Sequence, residues 1–293
     1  MSANGILIVD KPEGKTSRQV TNRISKITGQ KKAGHLGTLD PIATGVLPVV
    51  LGKATRLIRF LEQDDKVYLA RIRLGEATDT QDRSGKVMET GEWRGLDPAA
   101  ITAAAATFYG EILQTPPMYS ALKKDGKPLY KMARQGIEIE RPKRKVRVFS
   151  LLVEKIELPD LVLRVRCSPG TYLRTMAHDL GAKLGSMGFL QDLKRTYSGP
   201  FSIKQAVKLD DLDRQTALDA LIPMGQCLPH FLEINITGGQ ERMLKEGTPI
   251  TLSDNSLPEG TNCRLTRDNK LAAVARAENK KQGLLLRPLR VFI

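Results

Sequence analysis

The chain has 293 residues, of which 41% are hydrophobic and 27% are charged, and this composition predicts a globular protein with a large core. The net charge of +14 predicts a polyanionic partner, either nucleic acid or an anionic membrane surface, unless the surplus lysine serves only solubility. No apolar run approaches the ~18 residues of a membrane-spanning helix, which favours nucleic acid over a membrane.

The N-terminus and the cysteines predict a location in the cytoplasm. The first ten residues show no basic region followed by a long apolar segment, so no signal peptide is expected. Cys167, Cys227 and Cys263 lie far apart and form no CxxC pair, which is typical of free thiols in a reducing compartment. The three histidines show no metal-ligand spacing with these cysteines, so no metal site is predicted.

The first third of the chain predicts strands around one helix. Ile6–Val9 is a continuous apolar run typical of a buried strand. Ser17 is expected to cap a helix with apolar residues at a spacing of three or four, which Gly29 ends. A strand over Val46–Leu51 and a short helix over Ala54–Leu61 follow. From residue 68 to 74, apolar residues alternate with partly basic ones, so one face of this strand should be buried.

The remaining chain mixes hairpins with single helices. Asp97 and Pro98 open an alanine-rich helix. Further helices are predicted over residues 128–135, 171–184 and 210–221, and paired strands over 146–158 and 161–167. Because regular βαβ repetition is lacking, the fold class is predicted to be α+β with a mostly antiparallel sheet flanked by helices.

The C-terminal end is predicted to form a separate unit. The segment from Ile222 to Leu232 contains two prolines and a glycine and is interpreted as a linker. The roughly sixty residues beyond it contain many short strands, which favour a small β-barrel. The predicted domains are therefore residues 1–230 and residues 231–293.

The motif from residue 33 to residue 48 is AGHLGTLDPIATGVLP. Gly34, Gly37 and Gly45 permit backbone conformations that other residues resist. Pro41 fixes its own φ and disfavours the helical region for Asp40. Asp40 should therefore be presented from a rigid, non-helical turn, where a carboxylate can act as a nucleophile or a general base.

A carboxylate that is partly buried needs a cationic partner to stay ionised. Arg174, which follows Tyr172 in the first turn of a predicted helix, is the best candidate, although its position taken alone favours a surface residue of that helix. His35 could serve as a metal ligand, as a base, or as a residue packed in a turn. Since no histidine or cysteine lies nearby, a metal is the least favoured of these roles.

Two basic clusters predict contacts with a nucleic-acid backbone. Five of the seven residues from 141 to 147 are basic, and Lys143, Arg144 and Lys145 form their centre. Upstream of them, a second cluster surrounds Tyr130 and consists of Lys123, Lys124, Lys127, Lys131 and Arg134. Phosphate contacts by such residues supply affinity that falls with salt, whereas the alternative is a solvated charged loop.

At these residues the sequence closely resembles the bacterial tRNA pseudouridine synthases of the TruB family. The resemblance covers nearly the whole chain and is weaker in the C-terminal segment, which is similar to a PUA domain. The matching blocks are Asp10 to Pro12, Gly34 to Pro48, Thr78 to Asp82, Met118 to Lys123, Gly126 to Tyr130, Ala133-Arg134, Gly170 to Arg174 and Ser198 to Phe201.

The resemblance implies a pseudouridine synthase fold and the isomerisation of uridine 55 in the T-loop of tRNA to pseudouridine. The N-glycosidic bond breaks, the base turns, and a carbon–carbon bond forms to carbon 5. A base inside a stack cannot be reached, so it must be flipped out. The resemblance further implies the T-arm of tRNA as partner, with no organic cofactor, no metal, no membrane and no obligate protein partner.

The resemblance also implies roles for six side chains. Whether the catalytic aspartate attacks the sugar or the base, or removes a sugar proton, stays open. Two further hypotheses are an RNA-folding module in which Asp40 is structural, and a synthase for other uridines. The implied roles are catalysis for Asp40, pairing with it for Arg174, stacking on the target base for Tyr68, lining of the uracil pocket for Tyr172 and Leu193, and entry into the T-loop for His35.

Overall fold

The computed structural model describes residues 3–120, 122–124, 126–252, 257–280 and 283–293. Its strands are β1 Gly5–Lys11, β2 Ala33–His35, β3 Ala43–Leu51, β4 Lys66–Leu74, β5 Glu76–Thr78, β6 Val87–Thr90, β7 Gly110–Gln114, β8 Lys123–Lys124, β9 Lys127–Pro128, β10 Arg144–Glu157, β11 Asp160–Cys167, β12 Gly188–Ser198, β13 Phe201–Ser202, β14 Val207–Lys208, β15 Ile222–Pro223, β16 Leu232–Asn235, β17 Ile250–Leu252, β18 Asn262–Arg267, β19 Lys270–Lys280 and β20 Gly283–Val291. The α-helices are α1 Ser17–Thr28, α2 Ile58–Leu61, α3 Pro98–Ala106, α4 Leu129–Ala133, α5 Leu173–Lys183, α6 Arg214–Asp219 and α7 Gly238–Lys245. No helix among these residues is long and apolar enough to cross a membrane.

The main sheet has the strand order β14-β1-β3-β12-β4-β11-β10-β7, with three short strands attached at its flanks. Only the β1–β14 and β3–β12 pairs are parallel, and every other pair described in this sheet is antiparallel. This confirms the predicted α+β class with a mixed, mostly antiparallel sheet. The central strand β12 comes late in the chain and lies between two strands that come early.

The alternation in β4 decides which face of the sheet is buried. Tyr68, Ala70 and Ile72 are buried and pack with apolar residues of α1, α3 and α5. Arg71, between them in sequence, is exposed on the other face. The helices therefore cover the face of the sheet that carries Tyr68, as the predicted alternation requires.

Three helix predictions need correction. The N-cap of α1 is Thr16, whose hydroxyl accepts a hydrogen bond from Gln19 N, whereas Ser17 turns inward to Leu39. The predicted helix over 54–61 is a 3-10 turn followed by the four-residue α2. At the start of this 3-10 turn, the Thr55 hydroxyl donates a hydrogen bond to the carbonyl of Gly52, three residues back. The predicted helix over 210–221 is shortened to α6, because Asp213 adopts an extended conformation and caps it.

The C-terminal residues form a second sheet with its own core. Its strand order is β16-β18-β19-β20-β17, and α7 packs against it through Leu244. The small β-barrel predicted at this end is present as this curled, five-stranded half-barrel sheet. The segment predicted as a linker is not a free connection, because Cys227, Leu228 and Phe231 are buried with residues of both sheets. The domain division at residue 230 stays a prediction.

Candidate active site

A cavity of about 370 Å³ opens where the loop before β3, the strands β4 and β12, and the start of α5 meet. Asp40, Tyr68, Tyr172, Arg174 and Leu193 all line it. The structure thus brings together five of the residues singled out in the sequence. They come from positions as far apart as 40 and 193, so only the tertiary fold makes them neighbours.

The turn that presents Asp40 is held on both sides. The Ser17 hydroxyl donates to the carbonyl of Leu39 at 3.1 Å and accepts from its N–H at 2.8 Å. Pro41 O accepts from Gly14 N at 2.8 Å, and Asp40 O accepts from Ala43 N at 3.0 Å. The turn is not helical, as predicted. The backbone around the carboxylate therefore has little freedom before any substrate arrives.

Two of the three glycines in the motif have the conformational role expected of them. Gly37 and Gly45 have φ of 69° and 97°, in the left-handed region that other residues avoid. A Cβ at Gly45 would lie 2.2 Å from the carbonyl oxygen of Arg195 on the neighbouring β12. Gly34 differs from the expectation, since it lies in β2 without a positive φ.

Lys11 stabilises the same turn through hydrogen bonds to backbone carbonyls. Its side chain is fully buried, and Nζ donates to the carbonyls of Pro12 at 2.8 Å, Lys15 at 2.6 Å and Pro41 at 3.4 Å. Burial lowers the pKa of Lys11 to about 8, although the nearby carboxylate of Asp40 opposes this change. Lys11 is thus a buried donor for three carbonyls in and next to the turn that carries Asp40.

Arg174 joins Asp40 to a second carboxylate. Its Nε lies 2.9 Å from Oδ2 of Asp40, and its Nη2 donates to Oδ1 at 3.3 Å. On its far side, Nη1 lies 3.5 Å from Oδ2 of Asp82. The remaining donors reach the carbonyls of Tyr119 and Thr80. Only 5% of the Arg174 side chain is exposed, so the guanidinium is fixed by protein groups rather than by water.

The electrostatic environment of Asp40 has opposing contributions. Burial raises the pKa of Asp40 above its usual range, and the guanidinium of Arg174 lowers it in part. The charge of Asp82 raises it again, and Lys11 lowers it. About 34% of the Asp40 side chain remains exposed, in contrast to 6% for Asp82. Asp40 is therefore the member of this cluster that a substrate in the cavity can reach.

Tyr68 lies in the cavity wall with a polar contact at its end. Its hydroxyl is hydrogen-bonded to the guanidinium of Arg195, and burial raises the pKa of Tyr68. Arg195 is only 1% exposed and lies opposite Tyr68 in the β12–β4 register. It also donates to Val46 O at 2.7 Å and to Gly37 O at 3.1 Å. One buried cation therefore connects Tyr68 with the turn that precedes Asp40.

Tyr172 and Leu193 form other parts of the wall. The backbone of Tyr172 is clamped by Gln114, whose side chain accepts from its N–H at 3.0 Å and donates to its carbonyl at 3.2 Å. Burial raises the pKa of Tyr172, and the positive charge of Arg174 opposes this. Leu193 is buried and contributes apolar surface. The cavity therefore combines aromatic and aliphatic side chains with the carboxylates of Asp40 and Glu62.

His35 lies apart from these residues. It is in β2, paired with Val49 of β3, and it is not among the residues that line the cavity. Burial lowers the pKa of His35, and the positive charges of Arg195 and Arg18 lower it further. Its imidazole is therefore neutral at neutral pH. No group of three or more histidine, cysteine or acidic side chains among the described residues could hold a metal ion.

The two predicted basic clusters also lie outside the cavity. Arg144 and Lys145 are in β10, beside β7, and Nζ of Lys145 lies 3.6 Å from Oε1 of Glu111. Lys143 lines a separate cavity with His178. In the second cluster, Lys123 and Lys124 form β8, Lys127 begins β9, Lys131 lies in α4, and the guanidinium of Arg134 lies 5.7 Å from the ring centre of Tyr130.

Sequence reasoning gave no role to Asp82 and Arg195. Arg195 could have been found, because it lies two residues after Leu193 in β12 and so faces the same side of the strand. Asp82 offered no comparable signal. It lies in a loop, and only the tertiary fold brings it to Arg174.

The family models match most of the chain. The TruB family pseudouridylate synthase N-terminal domain matches residues 25–173, and the tRNA pseudouridylate synthase B C-terminal domain matches residues 174–228. The chain is 43% identical over 282 residues to tRNA pseudouridine synthase B of Geobacter sulfurreducens, covering 93% of each protein. It is 41% identical over 281 residues to the protein of that name from Clostridium acetobutylicum, covering 96% of this chain and 94% of that one.

Solved structures agree on the fold. A chain in a Cbf5-Nop10-Gar1 complex is 28% identical with a TM-score of 0.76, covering 99% of this chain and 85% of that chain. A chain in an H/ACA RNP bound to a substrate RNA containing 2′-deoxyuridine is 25% identical with the same TM-score, covering 99% of this chain and 86% of that chain. With family models over most of its length and relatives above 40% identity, the chain belongs to the TruB family of tRNA pseudouridine synthases, which are isomerases.

Proposed function

We propose that this enzyme isomerises uridine 55 in the T-loop of tRNA to pseudouridine, with Asp40 as its catalytic carboxylate. The observation that carries the proposal is the placement of the Asp40 carboxylate, paired with the buried Arg174, in a cavity with two tyrosines. A flipped pyrimidine base fits such a site, because unstacked RNA bases are bound by aromatic stacking and by hydrogen bonds to their edges. The proposed substrate places the enzyme in the cytoplasm.

The proposed reaction is balanced within the substrate. The bond between N1 and the sugar breaks, a bond between C5 and the sugar forms, C5 loses a proton, and N1 becomes protonated. Asp40 contributes in its ionised form, whether it attacks the sugar or the base or removes a sugar proton. Because burial raises the pKa of Asp40, the guanidinium of Arg174 is the group that keeps it ionised near neutral pH.

The other residues bind and orient the RNA in this proposal. Tyr68 stacks on the target base, while Tyr172 and Leu193 complete the pocket around it. His35, which is neutral and lies outside the cavity, enters the T-loop and holds bases out of the stack. The basic residues Lys143, Arg144 and Lys145 contact the RNA backbone.

The C-terminal unit is assigned to RNA binding in the same proposal. Residues 1–230 form the catalytic domain, and residues 231–293 form a PUA-like domain. The support for this division is the separate sheet and core of the C-terminal residues.

The test measures release of tritium from C5 of uridine 55 in an unmodified T-arm stem-loop. Wild type should release tritium and Asp40→Asn should not, while both bind the RNA with similar affinity. Asp192→Asn is the matched control, since it removes an exposed carboxylate outside the cavity and should retain turnover.

Two results would contradict the proposal. If Asp40→Asn turns over as wild type does, Asp40 is not the catalytic carboxylate. If wild type binds the stem-loop tightly and forms no pseudouridine, the protein acts as a tRNA-folding module or on a different uridine.

A further inference from the structure

A cationic depression lies away from the catalytic cavity. It has a volume of about 400 Å³, and its lining includes Lys31, Lys32, Lys53 and Arg56. No aspartate or glutamate is among the residues that line it. None of these four cations takes part in an ion pair within the ranges that the structure describes. The depression therefore concentrates positive charge without compensation from the protein.

The backbone holds these cations together although they come from two parts of the chain. Helix α1 ends at Gly29, which has φ of 69°, and the chain then turns into β2. Lys32 O accepts from Gly52 N at 2.8 Å, which fixes Lys31 and Lys32 beside the turn that carries Lys53. Such an arrangement of like charges is unfavourable by itself and favours binding of an anion.

A second charged groove provides a useful contrast. It has a volume of about 280 Å³, and its charged lining residues are Glu13, Arg71, Asp192 and Lys194. Here the two signs are equal in number, and Arg71 is paired with Asp192. Because the charges of this groove compensate one another, it is not expected to bind a polyanion. The cationic depression differs from it in charge, and both are open to solvent.

The location of the cationic depression relates it to the proposed substrate. Lys32 precedes His35 by three residues of extended chain, which is a distance of about 10 Å. On its other side, Nζ of Lys53 donates to the carbonyl of Phe292 at 2.9 Å, at the end of the C-terminal sheet. The cationic depression therefore lies between the residue proposed to enter the T-loop and the C-terminal unit.

We infer that the cationic depression binds backbone phosphates of the RNA stem that carries the target loop. This inference rests on the proposed function, because it takes His35 as the point where the loop is held. A nucleic-acid duplex such as double-stranded DNA carries one negative charge per ~1.7 Å of its axis, so a stem that continues from a loop held at His35 brings several phosphates toward the depression. Lysine and arginine side chains bind such phosphates without reading the base sequence.

The test compares two double variants in the Asp40→Asn background, so that RNA binding is measured without turnover. Lys31→Ala/Lys32→Ala removes two cations of the depression and leaves Lys53 in its contact with Phe292. Lys155→Ala/Lys183→Ala removes the same charge elsewhere, at a strand pair near the β10–β11 turn and at the last turn of α5. The affinity for a T-arm stem-loop is measured at several salt concentrations, and thermal melting confirms that both variants fold.

The expected result is a change specific to the depression. Lys31→Ala/Lys32→Ala should bind more weakly, and its slope of log K against log salt should be shallower by about 1.8, from ~0.9 per phosphate contact. The control pair should keep the slope of the parent. On a hairpin whose stem is cut to two base pairs, the two double variants should bind alike, because the phosphates that reach Lys31 and Lys32 are gone.

Three outcomes would overturn the inference. The first is the same slope in both double variants, and the second is an undiminished penalty on the shortened hairpin. The third is a loss of binding to phosphatidylserine vesicles with an unchanged slope for the stem-loop, which would assign the surface to a membrane. Failure of the proposed function is distinguishable, because it appears as missing pseudouridine in wild type whatever the salt slopes are.

Discussion

Two sets of ion pairs lie on opposite faces of β4 and differ in burial. The buried cluster consists of Arg174 between Asp40 and Asp82. The second set, called the exposed ladder, contains more charges, and most of its side chains are more exposed to solvent. It runs from Glu13 through Arg83, Asp192, Arg71 and Asp160 to Arg73. The ladder therefore has more ion pairs, whereas the ion pairs of the cluster are more deeply buried.

This comparison shows why burial matters more than number. Exposed pairs are screened by water and salt and contribute about 0–1 kcal/mol each. A buried pair can cost more to form than it returns, but removal of one partner leaves a charge without compensation. The buried cluster also contains Asp40, which can be reached from the cavity. In the proposed function, the burial that makes this cluster sensitive to mutation also raises the pKa of the catalytic carboxylate.

The largest effect is expected from Arg174→Met, which removes the cation between two carboxylates. The free energy of unfolding should fall by about 3–5 kcal/mol, and turnover should be lost. Arg174→Lys should recover part of the stability and little turnover, because an ammonium cannot span both carboxylates as a guanidinium does. Urea unfolding and tritium release measure the two effects. Wild-type stability in Arg174→Met would show that burial does not distinguish the two sets.

A smaller effect is expected from Arg195→Lys, which keeps a buried charge but shortens its reach. The carbonyls of Val46 and Gly37 would lose donors, and each unpaired group costs about 1–3 kcal/mol. Since the guanidinium also holds the hydroxyl of Tyr68, kcat should fall as in Tyr68→Phe, with little further loss in the double variant. Additive losses in the double variant would mean that Arg195 does not act through Tyr68.

Asp82→Asn should change the pH dependence more than the rate. In the proposed function turnover needs ionised Asp40, so activity should be lost as the pH falls through the pKa of Asp40, which burial raises. The charge of Asp82 contributes to that rise, and its removal lowers the pKa of Asp40. The acidic limb of the kcat profile should therefore move to lower pH in Asp82→Asn. A limb that stays in place or moves upward would contradict this sign.

The smallest effect is expected from Asp192→Asn in the exposed ladder. Asp192 lies 3.1 Å from Arg83 and 3.6 Å from Arg71, and 43% of its side chain is exposed. The free energy of unfolding should change by less than about 1 kcal/mol, and the change should shrink further in high salt. Urea unfolding at two salt concentrations checks this. A loss as large as that of Arg174→Met would remove the difference between the two sets.

Local patterns predicted the parts of the site that depend on nearby residues. Pro41 and the glycines indicated a rigid turn at Asp40, and the alternation in β4 placed Tyr68 and Arg71 on opposite faces. The contact between Asp40 and Arg174 joins residues separated by 134 positions, and no local pattern contains it. The position of Asp82 is similarly set by the tertiary fold. The N-cap of α1 also depends on the tertiary fold. Thr16 takes this position rather than Ser17, because the Ser17 hydroxyl is hydrogen-bonded to the backbone of Leu39.

The late position of β12 has a consequence for the biosynthesis of this protein. The hydroxyl of Thr44 at the start of β3 donates to the carbonyl of Leu193, which is made 149 residues later. At the usual rates of synthesis of about 5–20 residues per second, β3 waits about 8–30 seconds for the strand that lies between it and β4. During that time the edges of β3 and β4 that β12 later covers have no partner strand. A chain whose synthesis stalls before residue 188 therefore keeps this gap in its sheet, and exposed strand edges of that kind favour misfolding.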